Sequence, residues 1–326
     1  MKTSLRIIFM TAILILAMMN VSGAADYPSK TITLISPMPP GGMHDVVGRG
    51  FAAVAEKRLG QTVVVMNKQG AGGLVGGKAI VEATPDGYTI GMDSTTIANN
   101  TEWEIANGRK PPFTRHDLTL LGSLTLSPPL VLVPFNSPWK TLADMIKDCK
   151  AKPEQYAYSS AGMYGGTHIA AVILTRALGI KVRHVPYEGG GQAISSLVGE
   201  HVHFMTQYPP AAYSLVQGKK LRVLAVQGSK RLKSLPDVPT VKELGQEAAE
   251  YQQWYGLSAP KKIPAPIVEK LRDIVKRTAE DEAFRKMIEN QGDEVHYMNS
   301  DELSKFRDGE SERVSKLLRQ LVQEKK

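Results

Sequence analysis

Short apolar runs alternate along the chain with longer segments whose apolar residues recur at helical spacing. This alternation is typical of β-α units, in which parallel strands are covered by helices. A first set of such units is predicted, with strands at 31–36, 63–67, 88–92 and 118–126 and helices at 45–59 and 73–83. The pattern therefore indicates an α/β protein whose first sheet begins near residue 31.

A second set of elements follows the pair Pro128-Pro129. Its predicted strands are 130–133, 156–160, 183–185, 204–206 and 222–226, and its predicted helices are 141–150, 167–178 and 192–198. Beyond it, helical periodicity returns at 266–281 and 301–323, and the apolar residues of the last segment lie mostly on one face, which favours burial. Two sets of units in 326 residues agree with the length of two domains.

Residues 1–25 have the layout of a secretory signal peptide. A basic start with Lys2 and Arg6 precedes 13 apolar residues, 7–19, and small residues follow at 22–25. Because a membrane-spanning helix needs about 20 apolar residues, we expect cleavage and secretion to the periplasm rather than a membrane anchor.

Composition and charge exclude several classes of protein. Hydrophobic residues make up 42% and charged residues 22%, as in ordinary globular proteins. The formal net charge is +8, but the basic residues are spread along the chain without interleaved aromatic residues, which argues against nucleic acid as a partner. A modest positive field favours small anions. Cys149 is the only cysteine, so an internal disulfide is excluded.

Three glycine-rich segments lie between a predicted strand and a predicted helix, namely Pro39–Asp45 (PPGGMHD), Ser160–His168 (SAGMYGGTH) and Val185–Gly191 (VPYEGGG). Glycines leave main-chain N–H groups uncovered, and the following helix adds the positive end of its dipole, so such loops suit a carboxylate or another anion. For the first segment, an ordinary turn capped by Asp45 is an equal alternative. Three such loops favour a ligand site, because open α/β sheets bind ligands at the carboxyl ends of their strands.

Several enzyme signatures are incomplete. Gly72–Lys78 has the spacing of a P-loop, but Ala79 stands where a hydroxyl residue should hold Mg²⁺. The histidines lack metal-ligand spacing. We therefore expect no catalytic residue, no cofactor and no metal. His44 and His168 border glycine loops and are candidates to donate to an anion and to tune its affinity with pH. For His168, packing against the next strand is at least an equal alternative.

Blocks of residues throughout the mature chain have the order and spacing that is typical of one known protein family. They are Tyr27–Lys30, Pro37, Pro39–Gly42, Asp45, Leu59–Gln61, Val63–Val65, Gly70–Gly73, Gly76, Pro85–Thr89, Ser160–Gly162, His168, His184–Tyr187, Gly189–Gly190, Gly218–Lys219, Leu221–Arg222, Leu235–Thr240, Trp254, Gly256–Leu257 and Ala259–Pro260. In these blocks the chain resembles the periplasmic solute-binding proteins of tripartite tricarboxylate transporters, the Bordetella-uptake-gene type.

The resemblance implies an α/β fold of the type II periplasmic-binding-protein class. Two Rossmann-like lobes would form a Venus flytrap whose hinge the chain crosses twice. One lobe would comprise residues 26–125 together with 227–326, and the other residues 126–226. The resemblance also implies a monomeric receptor without enzymatic activity that delivers a small carboxylate to the membrane subunits of a transporter.

In this family the carboxylate lies between the lobes, held mainly by backbone amides and hydroxyl groups of the first and second glycine loops. Carried over to this sequence, the expected ligand-binding residues are Pro40, Gly41, Gly42, Met43, His44, Asp45, Ser94, Ser160, Ala161, Gly162, Tyr164, Gly165, Gly166, Thr167, His168, Tyr187 and Gln207.

The sequence departs from the family pattern at three places. Met43 and His44 stand where a further Gly and a Ser or Thr are common, Tyr164-Gly165 replaces Gly-Ser, and Gln207 replaces a frequent Asp. Loss of that carboxylate removes a partner for a ligand ammonium, while Met43 and Tyr164 would add apolar surface to the cleft. We therefore expect a ligand without an amino group, an aliphatic or aromatic mono- or dicarboxylate.

Two other functions remain open at the level of sequence. A binding module of this kind can serve a sensor kinase instead of a permease. A secreted hydrolase would use Ser160 and His168, but it would also need an orienting group and a strained nucleophile turn, and neither is recognisable.

Overall fold

The computed structural model describes residues 27–324, so the predicted signal peptide, residues 1–25, lies outside the described residues. The strands are β1 (Ile32–Ser36), β2 (Val63–Asn67), β3 (Thr89–Ser94), β4 (Leu118–Ser127), β5 (Leu130–Pro134), β6 (Ala157–Ser160), β7 (Arg183–Pro186), β8 (Phe204–Gln207), β9 (Leu221–Val226) and β10 (Gln253–Pro260). The α-helices are α1 (Met43–Leu59), α2 (Leu74–Val81), α3 (Thr95–Ala106), α4 (Leu142–Ala151), α5 (Gly166–Leu178), α6 (Gly190–Val198), α7 (Pro209–Gln217), α8 (Ala265–Glu280), α9 (Glu282–Glu289) and α10 (Ser300–Gln323).

The strands form two mixed sheets of five strands each. The first has the order β2-β1-β3-β10-β4, and the second has the order β7-β6-β8-β5-β9. In the first sheet β10 runs antiparallel to β3 and β4, and in the second β5 runs antiparallel to β8 and β9. We call each sheet with its covering helices a lobe. In each lobe the parallel strands end at one edge of the sheet, which we call its carboxyl edge.

Burial explains where the strands lie within each sheet. Every residue of β5, with the sequence LVLVP, is buried, as expected for a strand covered on both faces. In β2, with the sequence VVVMN, the exposed residues Val64 and Met66 alternate with more buried ones, as expected for an edge strand. Separate apolar clusters fill the two lobes, one around Phe51 and Leu121 and another around Leu174 and Phe204.

The chain passes between the lobes twice, each time at the carboxyl edges. Only Pro128 and Pro129 separate β4 from β5, and the segment 227–252 leads from β9 back to β10. The two crossings are joined by a hydrogen bond of 2.8 Å that the Gln227 N–H donates to the Pro129 carbonyl. The carboxyl edges of the two sheets therefore face each other across the crossings.

The last helix packs against both lobes. Val314 and Leu318 of α10 belong to one apolar cluster with Ile169 of α5 and the partly buried Trp103 of α3. Near its end, Arg176 of α5 donates to Gln320 over 3.1 Å and forms an ion pair of 2.5 Å with Glu324. The single cysteine, Cys149, is fully buried in the second lobe, where burial and then Asp148 raise the pKa of its thiol to about 11.

The sequence pattern missed four elements, of which α9 is a short helix separated from the end of α8 by one residue. Helix α3 carries buried polar residues such as Asn99 and Glu102, so it has no clear apolar stripe. Helix α7 begins with Pro209-Pro210, which obscures its periodicity. Strand β10, with the sequence QWYGLSAP, is entirely buried and antiparallel to both neighbours, so it does not belong to a β-α repeat.

Close contact between β10 and β4 yields a prediction on stability. A methyl group on Gly256 would lie 2.3 Å from the Gly122 carbonyl oxygen and 2.8 Å from the Ser123 Cα, both backbone atoms that cannot yield without breaking the strand pair. We expect Gly256→Ala to lower the free energy of unfolding, measured in urea, by about 3 kcal/mol.

Gly309 provides the matched control. It lies exposed within α10, and among the described residues no atom would come within 4 Å of its added methyl group. Because alanine favours the helix, Gly309→Ala should raise the free energy of unfolding by about 0.5–1 kcal/mol. Equal effects of the two substitutions would contradict the described pairing of β10 with β4.

Candidate ligand-binding site

The first and second glycine loops lie on facing carboxyl edges. The first follows β1 and leads into α1, the second follows β6 and leads into α5, and the third, which follows β7, leads into α6. Among the described residues, no atom would lie within 4 Å of a Cβ built on Gly41, Gly165 or Gly189. At these three glycines the backbone is therefore open to a ligand.

The helices that begin at these edges lack side-chain caps. No side chain caps the start of α1, α3, α5 or α6, whose N-cap residues are Gly42, Ser94, Gly165 and Gly189. Of the other helices, α4 is capped by Thr141, α9 by Asp281 and α10 by Asn299, whereas α2, α7 and α8 also lack a side-chain cap. The first N–H groups of a helix have no partner inside it. Uncapped starts therefore keep donors and positive dipole ends available for an anion.

Asp45 holds the first loop in place. Its Oδ2 accepts hydrogen bonds of 3.0 Å from the Gly41 N–H and from Arg49 Nε, and its Oδ1 accepts one of 3.0 Å from Asn67 Nδ2. Burial raises the pKa of Asp45, but the bonds from Arg49, Gly41 and Asn67 outweigh it, so the pKa lies below its ordinary value. The carboxylate thus holds the loop in place, but it does not cap α1 as the alternative proposed, since no side chain caps that helix.

His44 is buried and pairs with Ser94, another expected site residue. The Nε2 of His44 lies 2.8 Å from Ser94 Oγ, and its ring meets Tyr255 edge-on with centroids 5.0 Å apart. Burial lowers the pKa of His44 to about 3. The ring is therefore neutral near pH 7, and our expectation that His44 tunes affinity with pH in this range is wrong.

Within the second loop, hydrogen bonds fix the backbone. Thr167 Oγ1 accepts a hydrogen bond of 3.0 Å from the Ala161 N–H, and His168 Nδ1 accepts one of 2.9 Å from the Tyr164 N–H. The His168 ring is also stacked on His184 of the neighbouring strand, with centroids 4.1 Å apart. Thr167 and His168 thus shape the loop from inside.

Ser160 is fully buried, and its hydroxyl also bonds to the backbone of the second loop. Its Oγ donates to the Gly162 carbonyl over 2.8 Å and lies 2.7 Å from Nε2 of His184, a histidine that the hydrolase alternative did not include. The Ser160 carbonyl accepts a hydrogen bond of 3.0 Å from the Tyr187 N–H, which joins the second and third loops. A buried hydroxyl that donates to a carbonyl is not an exposed nucleophile.

Tyr164 and Met43 do not add free apolar surface to the cleft as expected. Tyr164 has a left-handed backbone, with φ at 62°, and its ring stacks on Trp103 of the first lobe with centroids 3.4 Å apart and planes 15° apart. Met43 packs against the core of the first lobe. Both side chains have apolar partners within the protein, so the argument for an aromatic ligand loses its support.

Of the remaining predicted residues, Gln207 and Tyr187 lie around the third loop and Pro40 lies in the first. Gln207 Oε1 accepts a hydrogen bond of 2.9 Å from the Tyr208 N–H, and its Nε2 lies 3.4 Å from where a Gly190 Cβ would be. Tyr187 is partly buried against an apolar cluster of the second lobe. Pro40 is exposed beside Gly41 in the first loop.

Two residues that the sequence analysis did not single out lie at the centre of the cleft. A Cβ on Gly166 would be 2.0 Å from Gln253 Oε1, at the start of β10, and 2.6 Å from the Tyr208 hydroxyl, after β8. Tyr208 follows Gln207 at a strand end, which was a usable signal. Gln253 gives no such signal, because its place depends on β10.

Comparison with known proteins identifies the family of this chain. The profile described as "Tripartite tricarboxylate transporter family receptor" matches residues 47–322. The chain belongs to this receptor family. A family relative, the UPF0065 protein in the gbd 5′ region of Cupriavidus necator, is 33% identical over 302 residues, covering 91% of this chain and 89% of that protein.

Two solved structures carry the same fold. A structure described as a periplasmic transporter has a TM-score of 0.80 and 30% identity, covering 92% of this chain and 98% of its own. MatC from Rhodopseudomonas palustris, described with bound malate, has a TM-score of 0.77 and 26% identity, covering 90% of this chain and all of its own. The predicted family and two-lobed α/β fold are confirmed.

The receptor family is one of periplasmic solute-binding proteins, not of enzymes. Among residues 27–324, no helix has both the length and the apolar character required to cross a membrane. Over the same range, no group of three or more His, Cys, Asp or Glu residues is placed to hold a metal ion.

Burial of His44 predicts a pH effect on stability. The pKa of His44 falls from 6.5 to about 3 on folding, so between these values the unfolded chain binds a proton that the folded chain does not. The contribution of the neutral His44 ring to the free energy of unfolding is therefore complete above pH 6.5 and is lost as the pH falls toward 3. Between about pH 6 and 4, the free energy of unfolding should fall more steeply for the wild type than for His44→Gln, by up to about 1.4 kcal/mol per pH unit.

Replacing the exposed His116 by Gln is the control for this measurement. That variant removes an exposed imidazole and leaves the contact between His44 and Ser94 in place. Parallel curves for the wild type and His44→Gln would contradict a buried neutral ring.

Proposed function

We propose that this protein is an extracytoplasmic receptor that captures a small carboxylate between its lobes and delivers it to the membrane subunits of a tripartite tricarboxylate-type transporter. The observation that carries the proposal is the pair of open glycine loops, at Gly41-Gly42 and Gly165-Gly166, which lead into uncapped helices on facing edges. Such helix starts bind anions through backbone N–H groups.

The relative described with bound malate supports a carboxylate as the ligand, since it shares the fold over nearly the whole chain. A ligand without an amino group remains our proposal, because an amide, Gln207, stands where a carboxylate would pair with an ammonium. We no longer propose an aromatic preference, because Tyr164 is stacked on Trp103.

In the proposed mechanism the anion first binds the loop at Gly41-Gly42. The second lobe then closes and brings the start of α5 onto the same ligand. Closure is favoured only as far as the ligand binds the closed form better. The stack between Trp103 and Tyr164 spans the lobes, so it stabilises the closed form with or without ligand and raises the apparent affinity.

An acidic N-cap at α5 tests the anion site without a loss of fold. Gly165 has extended dihedrals, φ −71° and ψ 175°, and space around its Cα, so Asp fits there and caps the helix. We expect Gly165→Asp to keep or raise thermal stability but to weaken malate binding by about thirtyfold or more in calorimetry, because its carboxylate occupies the donors and repels an anion.

The matched control is Gly189→Asp, which adds the same charge and cap at α6, on the third loop. Its affinity should stay within about threefold of wild type. Unchanged binding by Gly165→Asp would sink the proposed anion site at α5, and failure of the wild type to bind any of a panel of small carboxylates would sink the proposed function.

The inter-lobe stack yields a second test. Tyr164→Gly removes the ring and suits the left-handed backbone, so the protein should fold but bind malate, or the carboxylate that gives the largest thermal shift, about fivefold more weakly. Tyr164→Phe keeps the ring and should retain the affinity. The same loss in both variants would show that the stack is not the cause.

A further inference from the structure

Two polar atoms lie buried without a partner in the centre of the cleft. Among the described residues, neither the Tyr208 hydroxyl nor Gln253 Oε1 has a hydrogen-bond partner. The side chains are nearly sealed, with Tyr208 6% and Gln253 2% exposed. Because a buried polar atom without a partner is costly, native proteins rarely keep one without a use for it.

The two atoms come from opposite lobes and meet at one point. Tyr208 follows β8 in the second lobe, and Gln253 begins β10 in the first. Both atoms lie within 2.6 Å of where a Cβ on Gly166 would be, so they are less than about 5 Å apart. The Gly166 backbone packs against both atoms here, so one ligand oxygen can bond to both only when the lobes are slightly further apart than in this structure.

The orientation of the Gln253 amide is fixed by its other end. A hydrogen bond from Gln253 lowers the pKa of Tyr255, although burial raises it overall. A bond with this effect is donated to the phenol oxygen, so it comes from Nε2. Oε1 is then the end that faces Gly166, where it can only accept a hydrogen bond.

Tyr208 and Gln253 lie next to the start of α5, and this closeness indicates which atom of the ligand carries the group that bonds to them. Gly166 is the first residue of α5, whose uncapped start is the proposed carboxylate site. We therefore place the matching group on the carbon next to a carboxylate bound there, because Gly166 contacts both atoms. A hydroxyl is complementary to the pair, because it donates to Gln253 Oε1 and accepts from the Tyr208 hydroxyl.

We propose that this receptor selects 2-hydroxycarboxylates and that Tyr208 and Gln253, one from each lobe, bind the 2-hydroxyl group. The inference rests on the proposed function and assigns the ligand class of the same cleft. A ligand with hydrogen in place of the 2-hydroxyl group leaves the Tyr208 hydroxyl and Gln253 Oε1 without a hydrogen-bond partner. An ammonium at C2 donates but cannot accept from Tyr208, and the adjacent Gln207 offers it no negative charge.

Matched sets of acids that differ only at C2 test this assignment. One set is malate, succinate and aspartate, a second is lactate, propionate and alanine, and a third is mandelate, phenylacetate and phenylglycine. In calorimetry with the full mature chain, we expect the hydroxy acid of the best-fitting set to bind at least about tenfold more tightly than the other two.

Two variants connect this preference to the named residues. Tyr208→Phe removes one hydroxyl and Gln253→Met removes the whole amide, both at nearly constant size, and each should reduce the preference to about threefold or less, mainly by weakening the hydroxy acid. Tyr156→Phe, in the second lobe against Trp139 and His203, removes a hydroxyl outside the cleft and should keep the wild-type preference.

The outcomes separate this inference from the proposed function. Equal binding of hydroxy and deoxy acids by the wild type, or tightest binding of the amino acid, would overturn the hydroxyl assignment and leave a carboxylate receptor. A preference that survives in both variants would overturn the role of Tyr208 and Gln253. Binding of no acid in any set would overturn the proposed function as well.

Discussion

Both connections between the lobes lie at the carboxyl edges of the sheets, and this constraint decides where a ligand is held. With only Pro128-Pro129 between β4 and β5, and Gln227 bonded to Pro129, the two edges cannot separate at the crossings. Glycine loops that follow β1 and β6 therefore face the same cleft. Any group held between the edges is therefore enclosed by both lobes.

Within the cleft, side chains mainly shape the loops and the main chain is left free. The Asp45 carboxylate, the Ser160 and Thr167 hydroxyls and the His168 ring are all bonded to backbone groups of their own loops. The N–H groups at the helix starts are left without side-chain caps. Under the proposed function, such a receptor would bind an anion without a buried cation, and its selectivity would depend on the few polar atoms that face the rest of the ligand.

Local pattern predicted much of this architecture, and tertiary contacts explain what it missed. Alternating strands and helices with glycines at their junctions gave both loops, because these signals lie within a few residues of one another. Helix α3 was missed since Asn99 and Glu102 are buried through bonds to Tyr251, Ser315 and Arg115, far along the chain. The meeting of Tyr208 with Gln253 depends on β10, so no local signal contains it.

The sealed cysteine makes the receptor easy to study by site-directed labelling. Cys149 is enclosed in the second lobe, and burial raises the pKa of its thiol, which suppresses the reactive thiolate. A maleimide dye should therefore ignore the native chain. One new surface cysteine on each lobe would then be enough to carry a fluorophore pair, and the opening of the cleft would be measurable on single molecules without a cysteine-free background.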